Sequence, residues 1–546
     1  MRRGSSAVSA ASLPGVRLWT GRVLEDLRAG RSCLCLLPRT PAGGADAAAV
    51  LDELLHELGD FVLLPAPGPA DAAAPRGAGL PGPPAAAAPP PGGPWTDTAP
   101  VLDYDDGLSA FGVGPRGGGP VPSDAASAAG RDTPAAHGPA GGGEPGPSAA
   151  GRAPERGRPT AHDLADRVLK ELGAAAPGAD SGPAAGVDGL LHRLTDGSGA
   201  ASRVVVVRGW HEPVPAAAAE LLRRLAAAVK AAGLPPERRP RLLVLAGPSG
   251  LAAELPEQVA RDDVAVHWWW GVHGRLDTAT VVAMARPPAA GRAARHQLLE
   301  AVAQATVVEV CGPFLDLAER LAAEWDGSPD TLPPQLRRLL CDEGLLPGVP
   351  DPDDGRTVPA PRGPAPGAAL PAPAGALRED WDRGLADRWD GRLRHWPGAA
   401  ARRDPRTQET GAPVWDWEWE HGVRTRIWLA QNTALLPLLD EAREAFTEVI
   451  RSRSRLPLPD LAARYGPRRD GVPGPRPGTA AAPGSAAALA GMELGDMWRA
   501  HIQGDARLSQ PEADRLRTLW RSRNSLSHRE ALDSPRLEGL ADHLTR

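Results

Sequence analysis

The sequence contains little cysteine and few aromatic residues other than tryptophan. It has 4 Cys, 4 Phe and 2 Tyr in 546 residues, and the cysteines form no CxxC pair and no metal-ligand spacing. This excludes a disulfide framework and a zinc site as the basis of the fold, and we expect reduced thiols. No apolar run approaches the roughly 18 residues of a transmembrane helix, and no signal-peptide core follows the first residues. We therefore expect a cytoplasmic protein without membrane contact.

Glycine, proline and tryptophan are abundant instead. The 63 Gly and 61 Pro cluster in segments that cannot bury enough apolar surface to offset the entropy of ordering them. We predict three disordered linkers, at 66–160, 346–377 and 467–485. The net charge of -6 gives no global basic field, so any contact with RNA has to be local. The segments expected to be ordered are 13–65, 161–345, 378–466 and 486–546.

The first two ordered segments predict an α/β domain. Residues 13–65 read as helix, strand, helix, strand, and Gly30 is placed to end the first helix. In residues 161–345 helices alternate with apolar strands such as Val204–Val207, a β-branched run typical of a strand covered on both faces. The alternation predicts a doubly wound, mostly parallel sheet.

A phosphate-binding loop needs glycines followed by Lys and Ser or Thr. Residues 38–46, after the first strand, contain Arg39, Gly43 and Gly44 but no such pair, and residues 247–250 are equally incomplete. We therefore expect no ATP hydrolysis and assign no cofactor, while a working ATPase switch that binds a nucleotide stays open as a third option.

The α/β segments nevertheless resemble the STAND and AAA+ NTPase superfamily. Val204–Val207, followed by Glu212, resembles the strand that ends in acidic residues, and Leu242–Ala246 with Ser249 resembles the sensor strand. Residues 309–327 resemble the lid region of inactive STAND-like modules in bacterial conflict systems. The resemblance implies a P-loop-NTPase-like domain without an intact P-loop, acting as a regulatory scaffold.

Two aromatic regions each have two interpretations. The groups around residues 268–270, namely His267, His273, Asp277 and Arg275, lie where an α/β sheet binds ligands, or they are hydrogen-bonded parts of the core. Between residues 381 and 396 tryptophan and leucine recur about every fourth residue, which predicts a helix. Trp415, Trp417 and Trp419 alternate with acidic residues, which predicts a strand. These tryptophans form a core or a binding surface, and we favour the core.

The C-terminal segments predict an all-α bundle. Four helical patterns occur, and the first is interrupted or kinked at Pro437. Four antiparallel helices are enough for a bundle. The four patterns span residues 427–450, 486–501, 510–529 and 534–544.

The third of these helices carries the residues best suited to chemistry. Arg523 and Asn524 are followed by His528. An imidazole can act as a general acid or base near neutral pH, and a guanidinium can stabilise charge on a phosphate. Five residues turn an α-helix by about 500°, so Arg523 and His528 do not share a face, whereas Asn524 and His528 do.

The stretch 523–528 resembles the R-x4–6-H motif of HEPN domains, including the polar residue after the arginine. The resemblance implies a dimer of helical bundles that cleaves RNA without a metal or other cofactor. Arg523 and His528 would be catalytic, Asn524 would orient them, and Glu493 would supply an acidic residue from the preceding helix. We therefore expect a homodimer formed through the C-terminal helices.

The sequence thus predicts a ribonuclease effector of a bacterial defence or toxin system, controlled by an inactive NTPase-like domain. RNA would be its substrate and other proteins of the conflict system its partners. The alternative is a non-catalytic regulator or adaptor that uses both domains for protein contacts. A chance match, with the arginines forming only a solvated basic face, stays open as well.

Overall fold

The computed structural model describes most of the chain outside the Pro/Gly-rich segments. Nearly all residues of the three predicted linkers lie outside the described part, as do the glycines after the first strand and Trp415. The described residues are 10–38, 47–66, 161–172, 186–195, 203–212, 215–261, 264–287, 291, 293–341, 372–397, 402–403, 413–414, 417–466 and 489–545.

A parallel sheet of five strands forms the centre of the N-terminal part, in the order β2-β3-β4-β1-β5. Leu34 of the first strand lies beside Val244 on one side and Val266 on the other. The prediction of an α/β fold with a parallel sheet is confirmed. The strands are β1 Cys33–Leu36, β2 Phe61–Leu63, β3 Val204–Arg208, β4 Arg241–Ala246 and β5 Ala265–Trp268.

Helices pack against this sheet. The first helix ends as predicted, because Gly30 adopts a φ of 78° and the amide of Arg31 donates to the carbonyl of Asp26. Leu18 of this helix is 59% exposed, whereas Val16, Val23 and Leu24 are buried. The helices up to residue 285 are α1 Pro14–Arg28, α2 Ala47–Leu58, α3 Ala161–Glu171, α4 Val187–Thr195, α5 Pro215–Ala232, α6 Leu255–Arg261 and α7 Arg275–Ala285.

The next helix, α8 Ala294–Cys311, includes the apolar stretch Val307–Val310. Its side chains contribute to two hydrophobic cores, one shared with α9 Leu315–Glu324 and α10 Leu332–Cys341 and one shared with the C-terminal helices.

The predicted helix over residues 381–396 is wrong. A short helix, α11 Ala376–Asp382, is followed by an antiparallel hairpin of β6 Ala386–Trp389 and β7 Arg392–His395. The turn residues Asp390 and Gly391 have φ values of 49° and 77°, as a two-residue hairpin turn requires. The Asp-Gly pair is a hairpin signal that outweighs the spacing of the tryptophans.

The predicted strand at Trp417 and Trp419 is also wrong. Both residues belong to α12 Trp417–Arg453, a helix of 37 residues that includes Pro437. Trp419 is buried and Trp417 is 73% exposed. The two short strands before this helix are β8 Arg402–Arg403 and β9 Pro413–Val414.

The C-terminal region is helical, as predicted. After α12 come α13 Leu458–Tyr465, α14 Leu494–Ile502, α15 Gln510–Ser527 and α16 Ser534–Leu544. A capping box of Ser509 and Glu512 begins α15. These helices share one hydrophobic core with Val302 of α8. None of the helices in the described part of the chain has the length and apolar content that a membrane crossing needs.

Candidate functional site

The edge of the sheet where α/β folds usually bind ligands is covered by α11 at β4 and β5. Trp381 packs against Trp268 and Trp270, with ring centroids 5.5 and 6.3 Å apart. Arg378 lies over the Trp268 ring at 5.3 Å and donates to the carbonyl of Ala253 at 2.8 Å. Side chains of α11 thus occupy the space beyond β5, whereas residues 39–46, which follow β1 at the same edge, lie outside the described part of the chain.

The acidic residue after β3 is already paired. Glu212 lies 2.8 Å from the guanidinium of Arg167, which also donates to the carbonyl of Pro65. Ser249, in the predicted sensor position, lies in a single turn of 3-10 helix at Pro248–Gly250. The carboxylate of Glu212 is therefore engaged by α3.

The polar groups near β5 serve the packing of the N-terminal part. His267 contacts Asp26 at 3.0 Å, and burial lowers the pKa of its imidazole while Asp26 opposes that shift. Asp277 accepts hydrogen bonds from the amides of Gly15 and Gly274 at 2.8 and 2.7 Å. His273 is buried beside Trp269, and Arg275 pairs with Glu309. Asp277 and Arg275 are thus engaged by groups of the protein itself.

The predicted site residues at the C-terminus lie at the end of α15. His528 is the C-cap of this helix. The amide of Arg529 donates to the carbonyl of Leu526, and the amide of Glu530 donates to that of Ser525. This is a Schellman motif, in which the residue after the cap adopts a left-handed conformation. The motif directs the chain away from the helix immediately after His528.

Two side chains of α12 hold this turn in place. The buried amide of Gln431 pairs with both backbone groups of Leu532, donating to the carbonyl at 2.9 Å and accepting from the N–H at 2.7 Å. The indole of Trp428 donates to the carbonyl of Leu526 at 2.6 Å. The segment that carries His528 is thus fixed at both ends.

One face of α15 forms the wall of a groove of about 590 Å³, which we call the His528 groove. Arg521, Asn524 and His528 line it at helical positions i, i+3 and i+7. Arg536 of α16 and Glu530 complete the charged lining. Asn524 and His528 therefore share a face, as the helix geometry predicts.

The side chain of Arg523 points away from the His528 groove. Its guanidinium contacts the carboxylate of Glu493, the residue before α14, at 2.9 Å. Both side chains are about half exposed, so this pair contributes little to stability. The structure brings together two pairs of the predicted residues, Arg523 with Glu493 and Asn524 with His528, but it does not place all four in one groove.

The sequence reasoning missed Arg521, Arg536 and Gln431. A signal for Gln431 was present, since it occupies a stripe with Ile427, Leu435 and Leu439 at every fourth position of α12. A lone amide in an apolar stripe indicates a buried polar contact. No local sequence pattern identifies Arg536, whose side chain lines the groove only because of how α16 packs.

The His528 groove combines groups that suit an anionic ligand. Arg521 has no ion-pair partner among the described residues and is exposed. Guanidinium, amide and imidazole groups bind phosphate oxygens, and an imidazole also transfers protons. Comparison of the chain with protein-family models, with curated proteins and with solved structures found no match. The site is therefore interpreted from its geometry.

Proposed function

We propose that this protein is a HEPN-like endoribonuclease with His528 as its proton-transfer group. The observation that supports this proposal is the convergence of His528, Asn524 and Arg521 on one groove. In RNA, the 2′-hydroxyl can attack the adjacent phosphorus while the bond to the 5′-oxygen breaks. His528 would accept the 2′ proton or supply one to the leaving oxygen, and a guanidinium would stabilise the charged phosphorus centre.

A second copy of the chain completes the proposed site. One imidazole cannot serve as base and acid at the same moment, and Arg523 lies outside the His528 groove. A homodimer through the C-terminal helices would bring His528 and Arg523 of a second chain to the same phosphate. The NTPase-like α/β part would then control the effector within a bacterial defence or toxin system.

The ion pair of Arg523 and Glu493 favours the second candidate function, a non-catalytic regulator. In that role the pair would join α14 and α15, and the groove would bind a protein partner. Both candidates use the same surface but differ in what His528 does.

Cleavage of a labelled, unstructured RNA by the purified full chain in the presence of EDTA tests the first candidate. We expect cleavage, and we expect His528→Ala to slow it by at least about 100-fold, because general acid–base groups contribute about that much or more. His56→Ala, an exposed histidine on α2, is the matched control and should cleave like the wild type.

Arg523→Ala distinguishes the roles of the arginine. A loss of rate that Glu493→Ala does not reproduce would place the guanidinium at the phosphate. Equal rates for wild type and His528→Ala would contradict the ribonuclease proposal and leave the regulator.

A further inference from the structure

The first two turns of α12 present an aromatic and basic face. Trp417, His421 and Arg424 occupy positions i, i+4 and i+7, and all three are exposed. The Trp417 side chain is 73% exposed, and its ring centroid lies 6.3 Å from that of His421. An indole exposed to this extent offers its ring for stacking on a planar group such as a base.

This face leads into a second cavity of about 540 Å³, which we call the Arg424 groove. His421, Arg424 and Arg529 line it. The Arg424 groove and the His528 groove share Glu530, Leu532 and Arg536. The two cavities are therefore neighbours, and Trp417 lies one helical turn before His421 of the Arg424 groove.

Arg529 adopts a strained conformation at this junction. Its φ of 61° lies in the left-handed region, at the position of a Schellman motif where glycine is usual. A left-handed residue with a side chain costs about 1 kcal/mol or more. Such strain at an exposed arginine suggests that its side chain has a function.

Two arginines of the Arg424 groove are available to bind an anionic ligand. Arg424 and Arg529 have no ion-pair partner among the described residues. Two of the three acids nearby are engaged at the start of α16, where Asp330 accepts from the amide of Ser534 and Asp533 accepts from the amide of Arg536. All three acids stay negatively charged, but Asp330 and Asp533 are directed at the backbone of α16, and Glu530 carries the third negative charge of the lining.

We propose that a single strand of RNA binds along both grooves. A base stacks on Trp417 and His421, the following phosphates contact Arg424 and Arg529, and the strand continues to His528. Exposed aromatic rings beside a line of cations are the arrangement that binds unpaired strands, because every base can stack. A duplex does not fit this scheme, since its bases are already stacked on each other. The inference rests on the proposed function and defines its substrate.

Binding is measured with the full-length His528→Ala variant, so that cleavage does not interfere. The probe is a fluorescein-labelled oligouridine of about 12 nucleotides, followed by anisotropy. We expect Trp417→Ala to weaken binding about 10-fold, the loss of one stacked base. The matched control is Trp210→Ala, an indole 39% exposed on the α/β part, which should bind as before.

The arginines give two further readouts. Arg424→Ala should reduce the slope of log K against log salt by about 0.7, the value for one phosphate contact of a single strand. Arg529→Gly should raise the unfolding temperature, because glycine relieves the left-handed strain, and yet weaken binding of the oligouridine. A surface arginine without a ligand would show only the first effect.

The outcomes separate this inference from the proposed function. Unchanged binding by Trp417→Ala, or equal binding of a duplex, would overturn the single-strand proposal even if the wild type cleaves RNA. Binding that depends on Trp417 and Arg424 in a wild-type protein that never cleaves would support the single-strand proposal and overturn the ribonuclease.

Discussion

Glu309→Ala is expected to lower the free energy of unfolding by about 4 kcal/mol, the usual cost of removing one partner from a buried ion pair. Glu309 is 2% exposed and pairs with Arg275 at 2.6 Å and with Arg394. These two guanidiniums lie over the Trp389 ring at 4.6 and 4.8 Å. Loss of the carboxylate would leave the largely buried guanidinium of Arg394 without its counterion, whereas Arg275 would keep Asp390.

A neighbouring arginine increases the expected effect. Burial, and after it the nearby Arg394, lower the pKa of the Arg426 guanidinium to about 10. Glu309 is one of the two groups that offset these effects. In the variant, Arg394 and Arg426 would repel each other without that compensation.

Urea unfolding followed by circular dichroism measures the effect of Glu309→Ala. Glu324→Ala is the control, because Glu324 pairs with Arg338 at the surface, where ion pairs contribute little. Similar losses for the two variants would contradict the assignment of Glu309 as the centre of a buried cluster.

Asp387→Asn is expected to become more stable relative to the wild type as the pH rises. The Asp387 side chain is buried, and its Oδ1 accepts hydrogen bonds from the amides of Gly271 and Arg388 at 2.9 and 2.7 Å. Burial raises the pKa of this carboxyl to about 7, although both hydrogen bonds act in the opposite direction. Asparagine keeps an oxygen that accepts the same two bonds and carries no charge.

The direction of this pH dependence follows from whether the folded or the unfolded state holds the proton on Asp387. Between about pH 4 and pH 7 the folded protein keeps the proton on Asp387 and the unfolded chain has released it. The contribution of this group to stability is therefore complete below about pH 4 and is lost as the pH rises through about 7. From pH 5 to pH 8 the wild type should lose on the order of 2–3 kcal/mol that the variant keeps.

The measurement is the difference in unfolding free energy between Asp387→Asn and the wild type at several pH values. Asp390→Asn provides a control on the same hairpin, because Asp390 is partly exposed and pairs with Arg275. Its difference from the wild type should not change over this range. A constant difference for Asp387→Asn as well would show that its carboxyl is ionised throughout.

Much of the fold could be predicted from local patterns. The β-branched and leucine-rich runs at 204–207 and 242–246 identify buried strands, because a polar residue inside such a run would lose its hydrogen bonds with water. The end of the first helix was predictable because Gly30 supplies a left-handed residue there. The patterns failed at residues 381–396 and at Trp417, where tryptophans spaced for one element lie in another.

The reason for these failures is that an apolar spacing shows only which residues are buried. Trp381, Trp389 and Trp396 are all buried, but they come from a helix, a strand and the residue after a strand. The Asp390-Gly391 turn decides the local conformation. Tertiary packing decides the burial, of Trp381 against Trp268 and Trp270 and of Trp396 against Phe314. The spacing of about four residues between these apolar side chains therefore arose by chance and did not indicate a helix.

The candidate site, too, could be predicted only in part from local sequence patterns. The sequence identified Asn524 and His528 as one face of a helix, and the structure places both on the wall of the His528 groove. It identified Arg523 and Glu493 separately, and the structure joins them in an ion pair. Arg536 lies in the groove only because the tertiary fold packs α16 beside α15.

By itself, the sequence determined the parallel α/β architecture, the helical C-terminal region and the segment that carries His528. These features depend on side-chain periodicity and on turn residues, which act over a few positions of the chain. The tertiary structure alone decided what the hairpin packs against, the path of the grooves and the position of His528. Those depend on contacts between distant residues, such as Gln431 with Leu532, 101 positions apart. No local pattern specifies such a pair, because its stability comes from burial that only the complete fold provides.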